Sequence, residues 1–127
     1  MNEKPTILVV EDDPILKNLL GHTFAGKYET VYAGDGIEAA ALFEKFKPSL
    51  VVLDLTLPGS VDGFAVLENL RKREDEGKTV PVLVVSNLGE QSAKDRVMQL
   101  GANDYLVKAE VDVDEIVAKI QELLPAT

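Results

Sequence analysis

Three acids in a row, Glu11, Asp12 and Asp13, follow the apolar run "TILVV" and stop at Pro14. Side by side they repel one another, and burial of the run ahead of them would also strip their solvation. A bound cation relieves both costs. The chain has no cysteine and a single histidine, His22, so the donors are carboxylate oxygens, which suit a hard divalent ion, Mg²⁺ before Zn²⁺. A further acid, Asp54, ends the apolar stretch of "SLVVLDL"; a hydroxyl, Ser86, closes "VPVLVVS"; an amine, Lys108, closes "DYLVK". In such company Asp54 is a metal ligand, a general base, or a carboxylate nucleophile that accepts a phosphoryl group. Phosphoryl transfer is mostly positioning and charge neutralisation, and Mg²⁺, Lys108 and Ser86 are groups that supply them.

The apolar runs that carry these groups read as buried strands, because they are short, rich in Val, Ile and Leu, and do not alternate. They lie at 6–10, 49–55, 80–86 and 104–108, with a more mixed fifth, "YETVYA", at 28–33. Helical segments separate them. Asp13 before Pro14 is an N-cap with proline at the first helical position, leading into Ile15, Leu16, Leu19, Leu20 and Phe24. Asp35 with Glu38, and Asp112 with Glu115, have the acid-x-x-Glu form of a capping box. The helix from Asp35 presents Ala39, Ala40, Leu42, Phe43 and Phe46, and the last presents Val113, Ile116, Val117, Ile120, Leu123 and Leu124. Others start near Asp62 and span 90–100, the latter ending at Gly101. Strand then helix, five times over, predicts an α/β fold, a parallel sheet with helices on both faces and right-handed crossovers. Such sheets bind ligands at the carboxyl ends of their strands, where Glu11, Asp12, Asp54, Ser86 and Lys108 all fall.

At 127 residues and 46% hydrophobic content, the chain fits one domain, 1–127, with a core that needs no disulfide or structural metal. Without cysteine, a thiolate nucleophile and a thiolate metal site are excluded. No apolar run approaches the roughly 20 residues of a membrane span, and Met1 to Pro5 lacks the build of a secretory signal, so the expected location is cytoplasmic. A net charge of −9, from 22 acids against 13 bases, argues against direct nucleic-acid binding, which rests on Lys and Arg. The charge-dense "RKREDEGKT", 71–79, reads as a solvated helix end and loop, and His22 as a surface residue. Gly34 and Gly36 read as turn glycines, since no phosphate-cradling GxGxxG or GxxxxGK[ST] pattern is present. With the tail running only from Leu124 to Thr127, no second domain is expected.

The segments "ILVVEDD", "AGDGIEAA", "SLVVLDLTLPG", "DGFAVL", "VPVLVVS" and "GANDYLVK" together resemble the receiver domain of two-component response regulators, similar to the single-domain chemotaxis type, over essentially the whole chain. The resemblance implies a flavodoxin-like, doubly wound five-stranded parallel sheet in order 2-1-3-4-5 flanked by five helices. It implies a signalling phosphoprotein rather than an enzyme, one that catalyses only its own phosphotransfer and dephosphorylation. Asp54 would be phosphorylated by a histidine kinase, a phosphotransfer protein or a small phosphodonor. Asp12 would be a direct Mg²⁺ ligand, Glu11 would act through water, and the Thr56 backbone carbonyl would complete the metal site with Asp54. Ser86 falls on the switch hydroxyl, Lys108 on the phosphate-binding lysine, and Tyr105 on the aromatic that changes rotamer. The output would be altered binding to a downstream target protein.

The chain departs from the family pattern in three places. Asn87 follows Ser86 where a small residue is usual. Ala109 follows Lys108 where the family has a cis proline, and a cis bond before any other residue costs roughly 2.5 to 4 kcal/mol, so a trans bond is expected. The loop "LPGSVDG", 57–63, is one residue longer. The alternatives are a Mg²⁺-dependent phosphohydrolase with Asp54 as nucleophile, disfavoured because Thr56 replaces a second acid, and a receiver-like binding module that is never phosphorylated.

Overall fold

The structure, a computed structural model, describes residues 4–124; Met1 to Glu3 and the last three residues of the tail read above, Pro125 to Thr127, lie outside them. In chain order the elements are β1 (Thr6–Val10), α1 (Pro14–Phe24), β2 (Glu29–Ala33), α2 (Gly36–Phe46), β3 (Leu50–Leu53), α3 (Gly63–Arg71), β4 (Val82–Ser86), α4 (Gln91–Gln99), β5 (Asp104–Val107) and α5 (Val113–Leu123). Short 3₁₀ turns follow α3 at Glu76–Lys78 and β5 at Lys108–Glu110. All pairings are parallel, and the strand order is β2-β1-β3-β4-β5, as the resemblance implied.

Because side chains alternate across a strand, the apolar runs feed two cores. Leu8, Val10, Val51, Leu53, Val82 and Val84 pack with Ala39, Phe43, Val66, Leu67, Leu70 and Val97 beneath α2, α3 and α4. Ile7, Val9, Leu50, Val52, Leu83 and Val85 pack with Leu16, Leu20, Phe24, Ile116, Val117 and Ile120 beneath α1 and α5. Covering both faces is what makes continuous rather than alternating apolar runs the right strand sequence.

The helix starts obey local chemistry. Asp13 Oδ1 accepts from the Ile15 N–H at 2.9 Å with Pro14 at the first helical position, Asp62 caps α3 through the Ala65 N–H, and Asp112 with Glu115 forms a reciprocal capping box. The Asp35 box is only half made: Asp35 accepts from Glu38 N–H, but the Glu38 carboxylate takes the Gly34 N–H instead. Gly101, at φ +102°, follows α4 as expected.

Several expectations need correction. β3, β4 and β5 are shorter than the runs that predicted them; Leu55 is buried but beyond the strand, and Lys108 opens a 3₁₀ turn. Ile15 and Leu19 are 70% and 48% exposed; α1 carries two apolar stripes and only Leu16, Leu20 and Phe24 face the sheet. Phe46 and Ala40 are also exposed. The 71–79 run is no simple solvated end. Arg71 donates to the carbonyls of Gly77 and Gly101, while Asp75 takes both Arg73 and Lys47 at 2.7 Å, tying α2 to the loop after α3. Gly36 is needed for close approach rather than for a turn: a Cβ there would lie 2.5 Å from both the Val61 carbonyl oxygen and its Cγ1.

Candidate functional site

The register sets the site. Val10 pairs with Leu53 across β1 and β3, so the residues that follow, Glu11 and Asp54, leave the sheet side by side. Their backbones extend the ladder one step further, Asp54 N–H to the Val10 carbonyl at 3.0 Å and Glu11 N–H to the Ala33 carbonyl at 2.9 Å. On the other side Ser86 pairs with Val107, which places Asn87 and Lys108 together one residue beyond. A cleft at this edge is lined by Glu11, Asp12, Asp13, Asp54, Thr56, Asn87 and Lys108. α3 is set against its floor: a Cβ on Gly63 would fall 2.3 Å from the Asp54 carbonyl oxygen.

Inside the cleft, Glu11 is 2% exposed and Asp54 5%, while Asp12 stands in solvent. Carboxylate oxygens of Glu11, Asp12 and Asp54 all lie within 4.8 Å of one another. The Lys108 ammonium bridges the two buried acids, 2.8 Å from Glu11 Oε1 and 3.2 Å from Asp54 Oδ2. Glu11 Oε2 accepts the Asp13 N–H at 3.0 Å, and Asp54 Oδ1 accepts the Thr56 N–H at 3.2 Å. Burial pushes the Glu11 carboxyl above its usual range, against the pull of the Lys108 and Asp13 bonds and helped by the neighbouring Asp54 charge. Burial pulls Lys108 down, yet the Glu11 bond and the Asp54 charge outweigh it and leave the ammonium held more firmly than usual. Three oxygen donors this close, with one amine among them, fit a hard divalent cation.

Ser86 is fully buried and does not line the cleft; its Oγ accepts a long bond, 3.4 Å, from the Leu88 N–H. Tyr105, half-buried, donates its hydroxyl to the carbonyl of the same Leu88, and Lys94 lies 5.8 Å over its ring. Burial raises the Tyr105 phenol above its usual range, opposed by the Ser86 hydroxyl. His22 is exposed. The Lys108–Ala109 bond is trans, as no cis bond occurs among the described residues.

Sequence reasoning missed two features here. The Glu11–Lys108 pair joins residues from opposite ends of the chain, and only the register of four strands brings them together. Leu88 acts through its backbone, which side-chain patterns do not report. Asn87 was visible as a departure, and the structure turns it into part of the cleft wall.

A 2-1-3-4-5 parallel sheet with buried acids and a lysine at its carboxyl edge is the arrangement that the resemblance to receiver domains implied. The family model for the response regulator receiver domain matches residues 7–121, and the chain belongs to that family, the receivers of two-component systems. It is 40% identical over 125 residues to the DNA-binding dual master transcriptional regulator RpaA of Synechocystis, covering 97% of this chain and 50% of that protein. The chain thus spans about half the length of the curated relatives it matches. Among solved structures, the non-phosphorylated HemR receiver domain of Leptospira biflexa superposes with a TM-score of 0.86 at 31% identity, covering 98% of this chain and 97% of that one. The receiver domain of the sensor histidine kinase PA1611 of Pseudomonas aeruginosa, with a magnesium ion coordinated in its active site cleft, superposes at 0.82 with 26% identity, covering 95% and 98%. Among the described residues, no helix is long and apolar enough to cross a membrane.

Proposed function

We propose that this chain is a phosphorylation-dependent switch, residues 1–127 forming one receiver domain in which Asp54 is the phosphoacceptor. The observation that carries this reading is the placement of Asp54, nearly buried at the end of the central strand with one oxygen on Lys108 and the other on the Thr56 N–H. A carboxylate so fixed keeps little rotational freedom to lose on attack, which favours transfer to it.

In the reaction, a bond forms between an Asp54 carboxylate oxygen and phosphorus as the bond from phosphorus to the donor breaks. From a kinase phosphohistidine, the electron pair leaves with the imidazole nitrogen. Lys108, 3.2 Å from Asp54, is placed to meet the charge of the phosphoryl oxygens. Glu11, Asp12, Asp54 and the Thr56 carbonyl are the groups that would hold Mg²⁺, which when bound supplies charge neutralisation for the acids and the phosphoryl oxygens. The same residues support dephosphorylation, in which water displaces Asp54 from phosphorus.

The output follows from the contacts of Leu88. A phosphoryl group offers new acceptor oxygens, and the Ser86 hydroxyl, which takes a long bond from the Leu88 N–H and lies against the Tyr105 phenol, is placed to turn toward them. Leu88 also receives the Tyr105 hydroxyl through its carbonyl, so a shift of this loop reaches Tyr105 and the surface of α4, β5 and α5. A target protein that binds the shifted surface better would then be recruited. The upstream partner is a histidine kinase or a phosphotransfer protein. The proposal is tested by incubating the protein with Mg²⁺ and phosphoramidate and weighing it intact: one phosphoryl adduct, absent in Asp54→Asn, is expected. A well-folded protein that never gains mass would instead be a binding module that is not phosphorylated.

A further inference from the structure

The cleft is asymmetric about Asp54. On the β1 side, Glu11 and Asp12 present acceptors only. On the β4 and β5 side stand Lys108 and Asn87, while Ser86 lies wholly buried outside the cleft wall. A phosphoryl group on Asp54 brings several oxygens that need donors. The ammonium of Lys108 is already shared between Glu11 and Asp54. The Asn87 carboxamide offers two N–H donors, is exposed, and makes no side-chain hydrogen bond among the described residues. A carboxamide with nothing to hold, on the wall facing the acceptor, is a donor in waiting.

We infer that Asn87 is a phosphoryl-binding residue of the cleft: its carboxamide donates to an oxygen of the phosphoryl group as it arrives on Asp54. The inference rests on Asp54 being the phosphoacceptor and adds a residue to that reaction. Asn87 carries no charge, so it does not deepen the repulsion that Asp54 and its neighbouring acids present to an anionic donor. It also follows β4 directly, across Asp54 from the acid pair.

The test compares loading of Asp54 by phosphoramidate in Mg²⁺ for the wild type, Asn87→Ala, Asn87→Leu and Asn87→Asp. Leucine keeps nearly the bulk of asparagine but has no donor; aspartate keeps its shape and replaces the donors with charge. Since Asn87 is exposed, all four should unfold at the same temperature. Loss of one hydrogen bond to a charged oxygen should slow loading by about tenfold in both Ala and Leu variants, and by more in Asp. In the wild type, the Asn87 side-chain amide NMR signal should shift on phosphorylation. A Leu variant that loads like wild type while Ala loads faster would make Asn87 only a steric gate, overturning the inference. Equal loading of all four with an unmoved amide signal overturns it alone, leaving Asp54 as acceptor. Failure of the wild type to load overturns it together with the reading of Asp54.

Discussion

The Lys108 ammonium sits closer to Glu11, at 2.8 Å, than to Asp54, at 3.2 Å. Glu11 is the more deeply buried of the two acids, so the lysine serves first as counter-ion to a carboxylate that lacks solvent. A cation held by the acid pair would take over that duty and leave the ammonium to the phosphoryl group. The positive charge would thus serve the fold in one state and, on the proposed function, the chemistry in the other.

Removing it should therefore be felt as stability. Lys108→Met leaves Glu11 and Asp54 without their shared partner, and a loss of about 1.5–3 kcal/mol is expected from hydrogen bonds to charged groups, at neutral pH and without divalent ions. Urea unfolding with and without Mg²⁺ checks this. Saturating Mg²⁺ should recover more stability in the variant than in the wild type; equal gains would show that Lys108 and the cation do not share the same charges.

The two exposed-edge acids of the opening triplet should separate by role. Asp12 belongs to the oxygen cluster, whereas Asp13 is spent on the N–H of Ile15. Asp12→Asn should weaken Mg²⁺ binding by at least tenfold in isothermal titration with little change in fold stability. Asp13→Ala should bind Mg²⁺ within a few fold of wild type yet lose about 1 kcal/mol, the worth of an N-cap. Reversal of that order would move the metal site.

Gly63 makes a steric prediction. Its absent Cβ is what lets α3 rest on the Asp54 carbonyl. The atom it would strike is backbone and cannot swing away, so Gly63→Ala should cost about 1–3 kcal/mol and slow loading of Asp54. Thermal unfolding and phosphoramidate kinetics check the two effects in one sample. An alanine that changes neither would mean that α3 does not set the acceptor.

Much of this was legible beforehand because burial on two sheet faces demands apolar runs, and because Asp13 with Pro14 or Asp112 with Glu115 states a helix start in purely local terms. The order 2-1-3-4-5 came from resemblance, since periodicity cannot order strands. Ile15 and Leu19 were misread because α1 carries more apolar residues than one sheet face can cover. The Glu11–Lys108 pair and the Leu88 carbonyl were invisible: the first depends on long-range register, the second on backbone. Ser86 was expected at the ligand surface and lies beneath it, one step of pleat away from the cleft wall.

Away from the site, Asp75 gives a pH signature. Arg73 first, then Lys47 and the Gly77 N–H, hold its carboxyl well below the usual carboxylate range. A group depressed on folding contributes stability above its unfolded value, about 3.9, and loses it as pH falls toward the folded one. Asp75→Asn should therefore melt below wild type at pH 7, with the gap narrowing as pH falls below about 4. High salt should narrow it too, because the network is at the surface. Melting curves at pH 7 and at low pH decide it; a gap that widens in acid would refute the assignment.

The central claim is that one carboxylate among several neighbours takes the phosphoryl group, and it can be read at the level of the residue. After loading with phosphoramidate and Mg²⁺, borohydride reduces an acyl phosphate to an alcohol, converting a phosphorylated aspartate to homoserine, which peptide mass mapping locates. Conversion at Asp54 alone, dependent on Mg²⁺, is the predicted result. Conversion at Asp12 or Asp13, or none in a folded protein whose loading conditions modify another receiver, would contradict it.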